Sequence, residues 1–411
     1  MPRSPSSPAF WRSPLRGPWF TSVLGVVLLA GITVLFVTGL LSYAAYNPDL
    51  SSVNDQTPDK GLLGFYLFSW PTHPSWLYRL TQGVHVTLGI ALIPVLLAKL
   101  WSVVPKLFAL PPARSLAHAL ERLSLLLLVG GGLFEFTTGV LNVQLDYIFP
   151  GSFYPLHFYG AWVFFAAFLA HAVLKTPLAL RNLRHLRDEQ PSGEGELVSP
   201  NPAEPTVSRR GALGVVGGGS LLLLATTAGR SFDGPLRETA VLAPHGGPEP
   251  GGGPGGFQIN KTAAYAGISP AETGEEAWRL VVTGRDGRSV RLDRPQLLQL
   301  ALHSSALPIA CVEGWSTSDQ WWRGVRLRDL AALVGHDDPV DVLVESLQRH
   351  GAFRRAALRA NQVADPRSLL ALFVNGEDLT PDHGYPARVI VPAAPGVLNT
   401  KWVARMTFGD L

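Results

Sequence analysis

The sequence has little charge and almost no cysteine. Only 16% of its 411 residues are charged, against roughly 25% in an average soluble domain, which argues against a single soluble globule. The one cysteine, Cys311, excludes an intramolecular disulfide framework, an all-cysteine zinc site and a covalent c-type haem, which needs Cys-x-x-Cys-His. The net charge of +3 is too small to indicate nucleic acid as a partner. The 47% of hydrophobic residues exclude a wholly disordered chain.

Long apolar runs are concentrated in the first half of the chain. Four of them are each long enough to cross the ~30 Å hydrocarbon layer of a membrane, and they lack the polar faces that helices of a soluble bundle need. The runs are about Trp19–Tyr46, Leu77–Trp101, Leu116–Val143 and Tyr154–Pro177. They predict an all-α bundle of four transmembrane helices within residues 1–180.

The charges of the short connections predict how these helices are oriented. Residues 1–18 carry three arginines and no acid, and Lys106 and Arg114 follow the second run. The opposite connections are mainly acidic, with Asp49, Asp55, Asp59 and Asp146. Because Lys and Arg are retained on the cytoplasmic side, we expect a multi-pass protein of a prokaryotic plasma membrane with a cytoplasmic N-terminus.

A second kind of apolar segment follows a polar linker over residues 181–207. It covers residues 208–229 and begins with Arg209 and Arg210. This segment resembles a twin-arginine export signal placed in mid-chain, which implies the twin-arginine export machinery as a partner. An ordinary fifth helix with basic flanks is the other interpretation. Both place the rest of the chain outside the cytoplasm.

The last part of the chain has a different pattern. Residues 230–256 are rich in glycine and proline and predict a flexible tether. From Phe257 to Leu411, short β-like runs alternate with turns and one helix-like stretch, which predicts an α+β unit of about 155 residues. The β-like runs are Trp278–Thr283, Val340–Ser346, Leu370–Val374 and Arg388–Val391, and the helix-like stretch is Arg326–Val334.

Histidines within the apolar runs are candidate metal ligands, because ionisable side chains are costly in lipid and mark function there. His157 and His171 lie nearly four helical turns apart on one face of the fourth run, separated by roughly 21 Å along the axis. This spacing suits two b-type haems stacked across a bilayer. We expect His85 in the second run to be the partner of His157, and His118 in the third to be the partner of His171. His118 also fits a position at the membrane interface without a ligand role.

The layout of four helices and several histidines resembles the membrane cytochrome b families that oxidise quinols. The resemblance implies membrane lipid and a quinone or quinol as partners. Glu135 in the third run is either a proton carrier for a quinone site or a carboxyl group satisfied by a neighbouring helix. Gly130, Gly131 and Gly132 either let a flat macrocycle approach the backbone or pack two helices together.

Cys311 stands in the most specific motif of the chain. The run Cys311-Val312-Glu313-Gly314-Trp315-Ser316, followed by Trp322-x-Gly-Val, resembles the molybdopterin-binding domain of the sulfite oxidase superfamily, and within it the bacterial periplasmic methionine sulfoxide reductases. The resemblance implies that the Cys311 thiolate binds molybdenum and is a catalytic residue. A thiolate is a soft ligand of the kind that such a metal centre accepts. A buried structural cysteine is the alternative.

Further residues extend this resemblance over nearly all of 257–411. The resemblance implies molybdopterin contacts for Asn260, His303, Arg388 and Lys401, since a buried phosphate needs fixed donors and positive charge. For His303, and also for His383, a hydrogen bond to the local backbone is an equally good interpretation. The resemblance does not extend to the second, dimerisation domain of the larger sulfite oxidases, so we do not expect oligomerisation by that route.

Together these features predict a membrane-anchored oxidoreductase with a molybdenum–molybdopterin cofactor and two b-type haems. It would exchange electrons between the quinone pool and an extracytoplasmic substrate, with reduction of an S-oxide or N-oxide favoured. A sulfite-type oxidase that runs in the opposite direction is one alternative. A haem electron-transfer or sensor protein without enzymatic turnover is the other.

Overall fold

The structure is a computed structural model that describes most of the chain. The described residues are 4–54, 68–110, 115–143, 148, 153–184, 199, 201–232, 234–243, 253–349 and 354–411. Among the charges that predict the orientation, Asp55, Asp59, Arg114 and Asp146 lie outside these residues, as does most of the linker over 181–207. The chain divides into two compact units, Met1–Val37 with His85–Thr226 and Thr38–Val84 with Thr227–Leu411.

Five helices of the described residues are long and apolar enough to cross a membrane. Helices that are apolar on all sides are typical of membrane spans. Their bounds confirm the predicted helices, with α2 and α4 longer at their C-terminal ends because they continue through Pro105 and Pro177. The five are α1 (Pro18–Ala45), α2 (Leu77–Leu107), α3 (Leu116–Val143), α4 (Phe153–Arg184) and α5 (Arg209–Ala225).

One apolar core joins all five helices in the first unit. It contains Phe20 of α1, Leu92 of α2 and Phe164 of α4, with Phe136 of α3 and Leu213 of α5 packed against them. The start of α5 is fixed by a side-chain cap, in which the Ser208 hydroxyl accepts a hydrogen bond from the backbone N–H of Gly211 at 3.0 Å. The segment with the arginine pair is therefore a packed helix.

The C-terminal part of the chain is built on two five-stranded sheets. The first has the order β2-β1-β10-β5-β6, with β1 and β10 parallel and the other pairs antiparallel. The second has the order β3-β4-β7-β8, and β9 also pairs with β7. The strands are β1 (Leu280–Thr283), β2 (Ser289–Leu292), β3 (Leu302–Leu307), β4 (Gln320–Arg326), β5 (Val342–Ser346), β6 (Arg355–Leu358), β7 (Leu369–Val374), β8 (Glu377–Asp378), β9 (Arg388–Ile390) and β10 (Val403–Phe408).

Short helices precede these strands or connect them, which agrees with the α+β prediction. They are α6 (Leu236–Thr239), α7 (Pro270–Thr273), α8 (Arg294–Leu298), α9 (Leu327–Ala332) and α10 (Ala360–Ala364). Alternate side chains of β1 are buried, and among them Leu280 and Val282 are fully buried. β7, which lies between β4 and two other strands, is buried at nearly every position.

The connection between α1 and α2 belongs to the second unit. The Asn47 side-chain amide donates to the Ala357 carbonyl at 3.1 Å. The Ala357 N–H donates to the Asn54 side chain at 2.5 Å. Further along the connection, the Trp70 indole donates to the Ala393 carbonyl at 2.7 Å. The sequence predicted only a link between two helices here, whereas the structure shows a segment bonded to the C-terminal domain.

The glycine-rich segment over 230–256 also differs from the expectation of a free tether. Its first residues, Arg230 and Ser231, are buried. Near its end, the Gly255 carbonyl is 2.9 Å from His383 Nε2. The preceding residue, Gly229, lets this backbone lie close to Leu236, since a Cβ at position 229 would overlap the Leu236 carbonyl. Both described ends of the segment are therefore packed, while residues 244–252 lie outside the described part.

Candidate functional site

A tight loop between β3 and β4 holds Cys311; we call residues Cys311–Ser316 the cysteine loop. The Cys311 N–H donates to the Trp315 carbonyl at 2.8 Å, and the Gly314 N–H donates to the Cys311 carbonyl at 3.0 Å. Gly314 has φ +87°, a left-handed conformation that favours glycine. The Trp315 indole donates to Glu313 Oε2 at 2.8 Å. The motif thus fixes the position of a cysteine that is only 3% exposed.

Cys311 lines an open cleft, whose empty space together with the solvent at its mouth is about 590 Å³. The Asn260 side-chain amide donates to Cys311 Sγ at 3.8 Å. Three of the four predicted molybdopterin contacts, Asn260, Arg388 and Lys401, line this cleft together. The other polar lining residues are Gln258, Lys261, Gln348, His383, Asn399 and Thr400.

The cleft contains two cations, the buried Arg388 and the half-buried Lys401. The Arg388 guanidinium donates to the carbonyls of His383 at 3.0 Å and Asn399 at 3.3 Å, and it lies 5.2 Å from the centre of the Trp322 ring. Burial lowers the pKa of Arg388 to about 9. Burial, with the nearby charge of Arg388, lowers the pKa of Lys401 to about 7. Neither cation pairs with a carboxylate among the described residues, so the cleft suits an anionic group such as phosphate.

Several buried polar atoms of the cleft have no hydrogen-bond partner within the described residues. They are Arg388 Nε, Asn399 Nδ2 and Thr400 Oγ1. Buried polar groups are nearly always satisfied in folded proteins, so these atoms indicate a polar ligand. Two cations, orphaned polar atoms and one thiol fit a phosphorylated pterin that carries a thiophilic metal.

The protonation state of the Cys311 thiol also fits metal binding. Burial, followed by the negative charge of Glu313, raises the pKa of the Cys311 thiol. Burial also raises the pKa of Glu313. A free Cys311 is therefore protonated, and coordination to a metal is what would make it a thiolate.

The two histidines of this domain that the sequence singled out, His303 and His383, differ in position. His383 lines the cleft, but its ring bonds the Gly255 carbonyl and stacks on Phe257 with the ring centres 3.8 Å apart. Burial lowers its pKa to about 4, so it is neutral at pH 7. His303 lies on β3 with Nε2 3.6 Å from Asp329 Oδ2, and it is not among the cleft-lining residues. A cofactor contact for His303 stays a prediction that this geometry does not support.

In the first unit the structure brings His85 and His157 together, with their ring centres 6.3 Å apart. His85 Nδ1 is 3.0 Å from the Leu35 carbonyl. His157 Nδ1 is 3.0 Å from Glu135 Oε2 and 3.1 Å from Thr138 Oγ1. Metal-bound histidines characteristically bond a carbonyl or carboxylate through the second ring nitrogen. Two imidazoles that share one metal through bonds of about 2 Å have ring centres roughly 6 Å apart, so this pair fits haem ligation.

The surroundings of Glu135 and of the α3 glycines agree with structural roles. Glu135 of α3 is paired with His157 of α4, which agrees with a carboxyl group satisfied by a neighbouring helix. A Cβ on Gly131 would lie 3.0 Å from Phe164 Cβ, which agrees with helix packing. The pairing of His118 with His171 stays a prediction.

Sequence reasoning assigned no role to Asn399 and Thr400, although they precede Lys401 directly. Their position beside a predicted phosphate ligand was the available signal. It also missed Arg230, whose position next to the cysteine loop depends on long-range packing.

The comparisons with known proteins concern the C-terminal domain. Residues 266–410 match the family described as oxidoreductase molybdopterin binding domain. The chain is 31% identical to mouse mitochondrial sulfite oxidase over 156 residues, which are 32% of this chain and 29% of that protein. It is 31% identical over 151 residues to the protein-methionine-sulfoxide reductase catalytic subunit MsrP of Gluconobacter oxydans, covering 32% of this chain and 47% of that protein.

Two further similarities cover the same part of the chain. The uncharacterized oxidoreductase YuiH of Bacillus subtilis is 30% identical over 131 residues, covering 32% of this chain and 65% of that protein. The crystal structure of the sulfane dehydrogenase SoxCD from Paracoccus pantotrophus gives a TM-score of 0.31 at 23% identity, covering 34% of this chain and 39% of that one. The chain thus spans less than two thirds of the length of each of these proteins. Over residues 266–410 the chain is therefore similar to molybdopterin-binding oxidoreductase domains.

Proposed function

We propose that the chain is a membrane-anchored molybdenum-cofactor oxidoreductase that exchanges electrons between the quinone pool and an extracytoplasmic substrate. The observation that carries this proposal is the cleft, in which Cys311 lies with Arg388 and Lys401 in a domain of the molybdopterin-binding type. When bound, the cofactor supplies transfer of an oxygen atom coupled to the transfer of two electrons.

The residues of the cleft have separate tasks in this proposal. Cys311 holds the metal through its sulfur, and the Asn260 amide orients that sulfur by its hydrogen bond. Arg388 and Lys401 bind the phosphate of the pterin by charge. Asn399 and Thr400 have orphaned side-chain atoms that bind its polar groups. Because Arg388 is fixed by two carbonyls, it presents its charge without rearrangement.

We favour reduction of an S-oxide or N-oxide as the direction of the reaction. The relative from Gluconobacter oxydans is named as a methionine-sulfoxide reductase subunit. A chain that also carries quinol-oxidising haems would deliver electrons to the substrate. The second candidate is a sulfite-type oxidation with the electrons running to quinone, since mouse sulfite oxidase matches the same domain.

The histidines provide the electron route in this proposal. His85 and His157 hold an outer b-type haem, and the carbonyl of Leu35 and the carboxyl of Glu135 orient their rings. His171, with His118, holds an inner one. Glu135 is also placed to exchange a proton with His157, because 3.0 Å separates Glu135 Oε2 from His157 Nδ1.

The location of the protein follows from the five apolar helices and the distribution of positive charge. We place the helices across the plasma membrane of a prokaryote, with the N-terminus inside and the domain over 257–411 outside. The arginine pair at the start of α5 directs this domain to the twin-arginine machinery, which exports folded proteins with their cofactors in place.

A substrate panel tests this proposal. The detergent-purified chain is assayed for molybdenum and haem, reduced anaerobically with a quinol analogue, and mixed with S-oxides, N-oxides or chlorate. Oxidation of the reduced haem by an S-oxide or N-oxide, followed by its absorption bands, supports reduction of the substrate. Reduction of oxidised haem by sulfite supports the second candidate. Protein without molybdenum, or with haem that responds to no substrate, contradicts the proposal.

A further inference from the structure

The cysteine loop is held by residues from outside the molybdopterin-binding domain. The Ser316 N–H donates to the Arg230 carbonyl at 2.8 Å. The Ser231 hydroxyl donates to the Gly314 carbonyl at 2.5 Å, and the Ser316 hydroxyl donates to the Ser231 carbonyl at 2.8 Å. The Arg237 guanidinium donates to the Ser316 carbonyl at 2.6 Å. Four hydrogen bonds thus join this loop to the segment that follows α5. That segment lies before residue 266, where the match to the molybdopterin-binding family begins.

The start of α2 holds the same loop at another point. The Gln82 side-chain amide donates to the Val312 carbonyl at 2.5 Å. A Cβ on the adjacent Gly83 would lie 3.0 Å from Ser231 Cβ, so α2 also packs against the segment that carries Arg230. The cysteine loop is therefore braced by two segments, and Arg230 is fixed in place between them and the loop.

The side chain of Arg230 is unusual for a buried cation. The residue is only 1% exposed, and Nε, Nη1 and Nη2 have no hydrogen-bond partner among the described residues. Its guanidinium interacts electrostatically with Glu313 and Cys311. Arginine stays protonated in proteins, and a buried charge without partners is costly. The charges that face it belong to the cysteine loop, where the carboxyl group of Glu313 comes first and a Cys311 thiolate would add a second negative charge.

We propose that Arg230 is a positioning residue for the metal centre, where its charge compensates the Cys311 thiolate and the anionic cofactor bound there. This inference rests on the proposed function. A fixed positive charge stabilises the more reduced, more negative state of a nearby redox centre, because the Coulomb energy is large where water is excluded. Arg230 thus raises the reduction potential of the molybdenum, and the segment that follows α5 contributes a positioning residue to the metal centre.

The test is a redox titration of the full-length holoenzyme in detergent, with the Mo(V) paramagnetic signal as the readout. Arg230→Met removes the charge, Arg230→Lys keeps it, and Arg237→Met removes a hydrogen bond from the same loop at a position without the electrostatic contact to Cys311. Arg230→Met is expected to lower the equilibrium constant for one-electron reduction about tenfold, which is about 59 mV. Arg230→Lys and Arg237→Met are expected to keep the wild-type potential.

The outcomes separate this inference from the proposed function. Wild-type protein without molybdenum overturns both. Arg230→Met with normal molybdenum content and an unchanged potential overturns only the role of Arg230. If Arg230→Met loses the metal but keeps its haem, retention of the metal in Arg230→Lys supports a requirement for charge. Loss of the metal in both Arg230 variants, or an equal shift in Arg237→Met, shows a purely structural role and overturns the inference.

Discussion

Lys401 links the charge of the cleft to the stability of the domain. Its ammonium group donates to the Asp382 carbonyl at 2.9 Å and to the Lys261 carbonyl. Burial, with the charge of Arg388, lowers its pKa from 10.5 to about 7. Between these two values the unfolded chain binds a proton that the cofactor-free native chain does not bind. The free energy of unfolding therefore rises with pH over this window, and the native state carries the full cost of the buried charge below pH 7.

The size of the effect follows from this shift. Each pKa unit corresponds to about 1.4 kcal/mol, so lowering the pH from 9.5 to 7.0 should cost the wild-type native state up to about 3 kcal/mol through Lys401 alone. Lys401→Met cannot be protonated at this position and lacks this cost. The variant should therefore gain stability relative to the wild type as the pH falls.

Pulse proteolysis in urea measures the difference on the full-length chain in detergent, produced without the molybdenum cofactor. The fraction of the C-terminal domain that survives a brief protease pulse gives the urea midpoint at pH 7.0 and at pH 9.5. Arg405→Met on β10 is the control, because this arginine is exposed and does not line the cleft. The same stability difference between wild type and Lys401→Met at both pH values would refute the reasoning.

Three further predictions concern the export signal, the haem ligands and the α1–α2 connection. Changing Arg209 and Arg210 together to lysine should leave a reporter fused to the C-terminus in the cytoplasm while the first four helices still insert; unchanged export contradicts the twin-arginine interpretation. His85→Ala and His157→Ala should each lower the haem content from two per chain to one, as measured by pyridine haemochrome absorbance; full haem content in either variant removes that ligand. Asn47→Ala loses hydrogen bonds to Ala357 and Gln362, so the urea midpoint of the C-terminal domain should fall by the equivalent of about 1–3 kcal/mol; an unchanged midpoint shows that these bonds add nothing to its stability.

The local elements of this protein are predictable from its sequence. The α1–α4 bounds follow from runs of apolar residues, and β1, β5, β7 and β9 lie within a residue or two of the predicted β-like runs. Both patterns depend only on neighbouring residues. The thiol of Cys311 and the cations Arg388 and Lys401 were assigned by resemblance, and the structure brings them to one cleft.

The pairing of distant segments could not be predicted from the sequence patterns. β10 lies between β1 and β5, a parallel and an antiparallel partner that no local periodicity specifies. The bonding of Asn47 to Ala357 joins residues 310 positions apart. Arg230 stands in a glycine-rich segment of low local propensity, and only the tertiary fold buries it. Residues that act through such contacts carry no signal in a single sequence.

The central claim is that the Cys311 thiolate binds the molybdenum that performs the reaction. The most direct test compares Cys311→Ser with the wild type in molybdenum content, haem content, turnover and the Mo(V) paramagnetic spectrum. Serine is nearly isosteric, but its harder oxygen binds the metal differently. We expect a folded, exported variant with normal haem, an altered Mo(V) spectrum and no turnover. Full activity per folded molecule with an unchanged spectrum would contradict it.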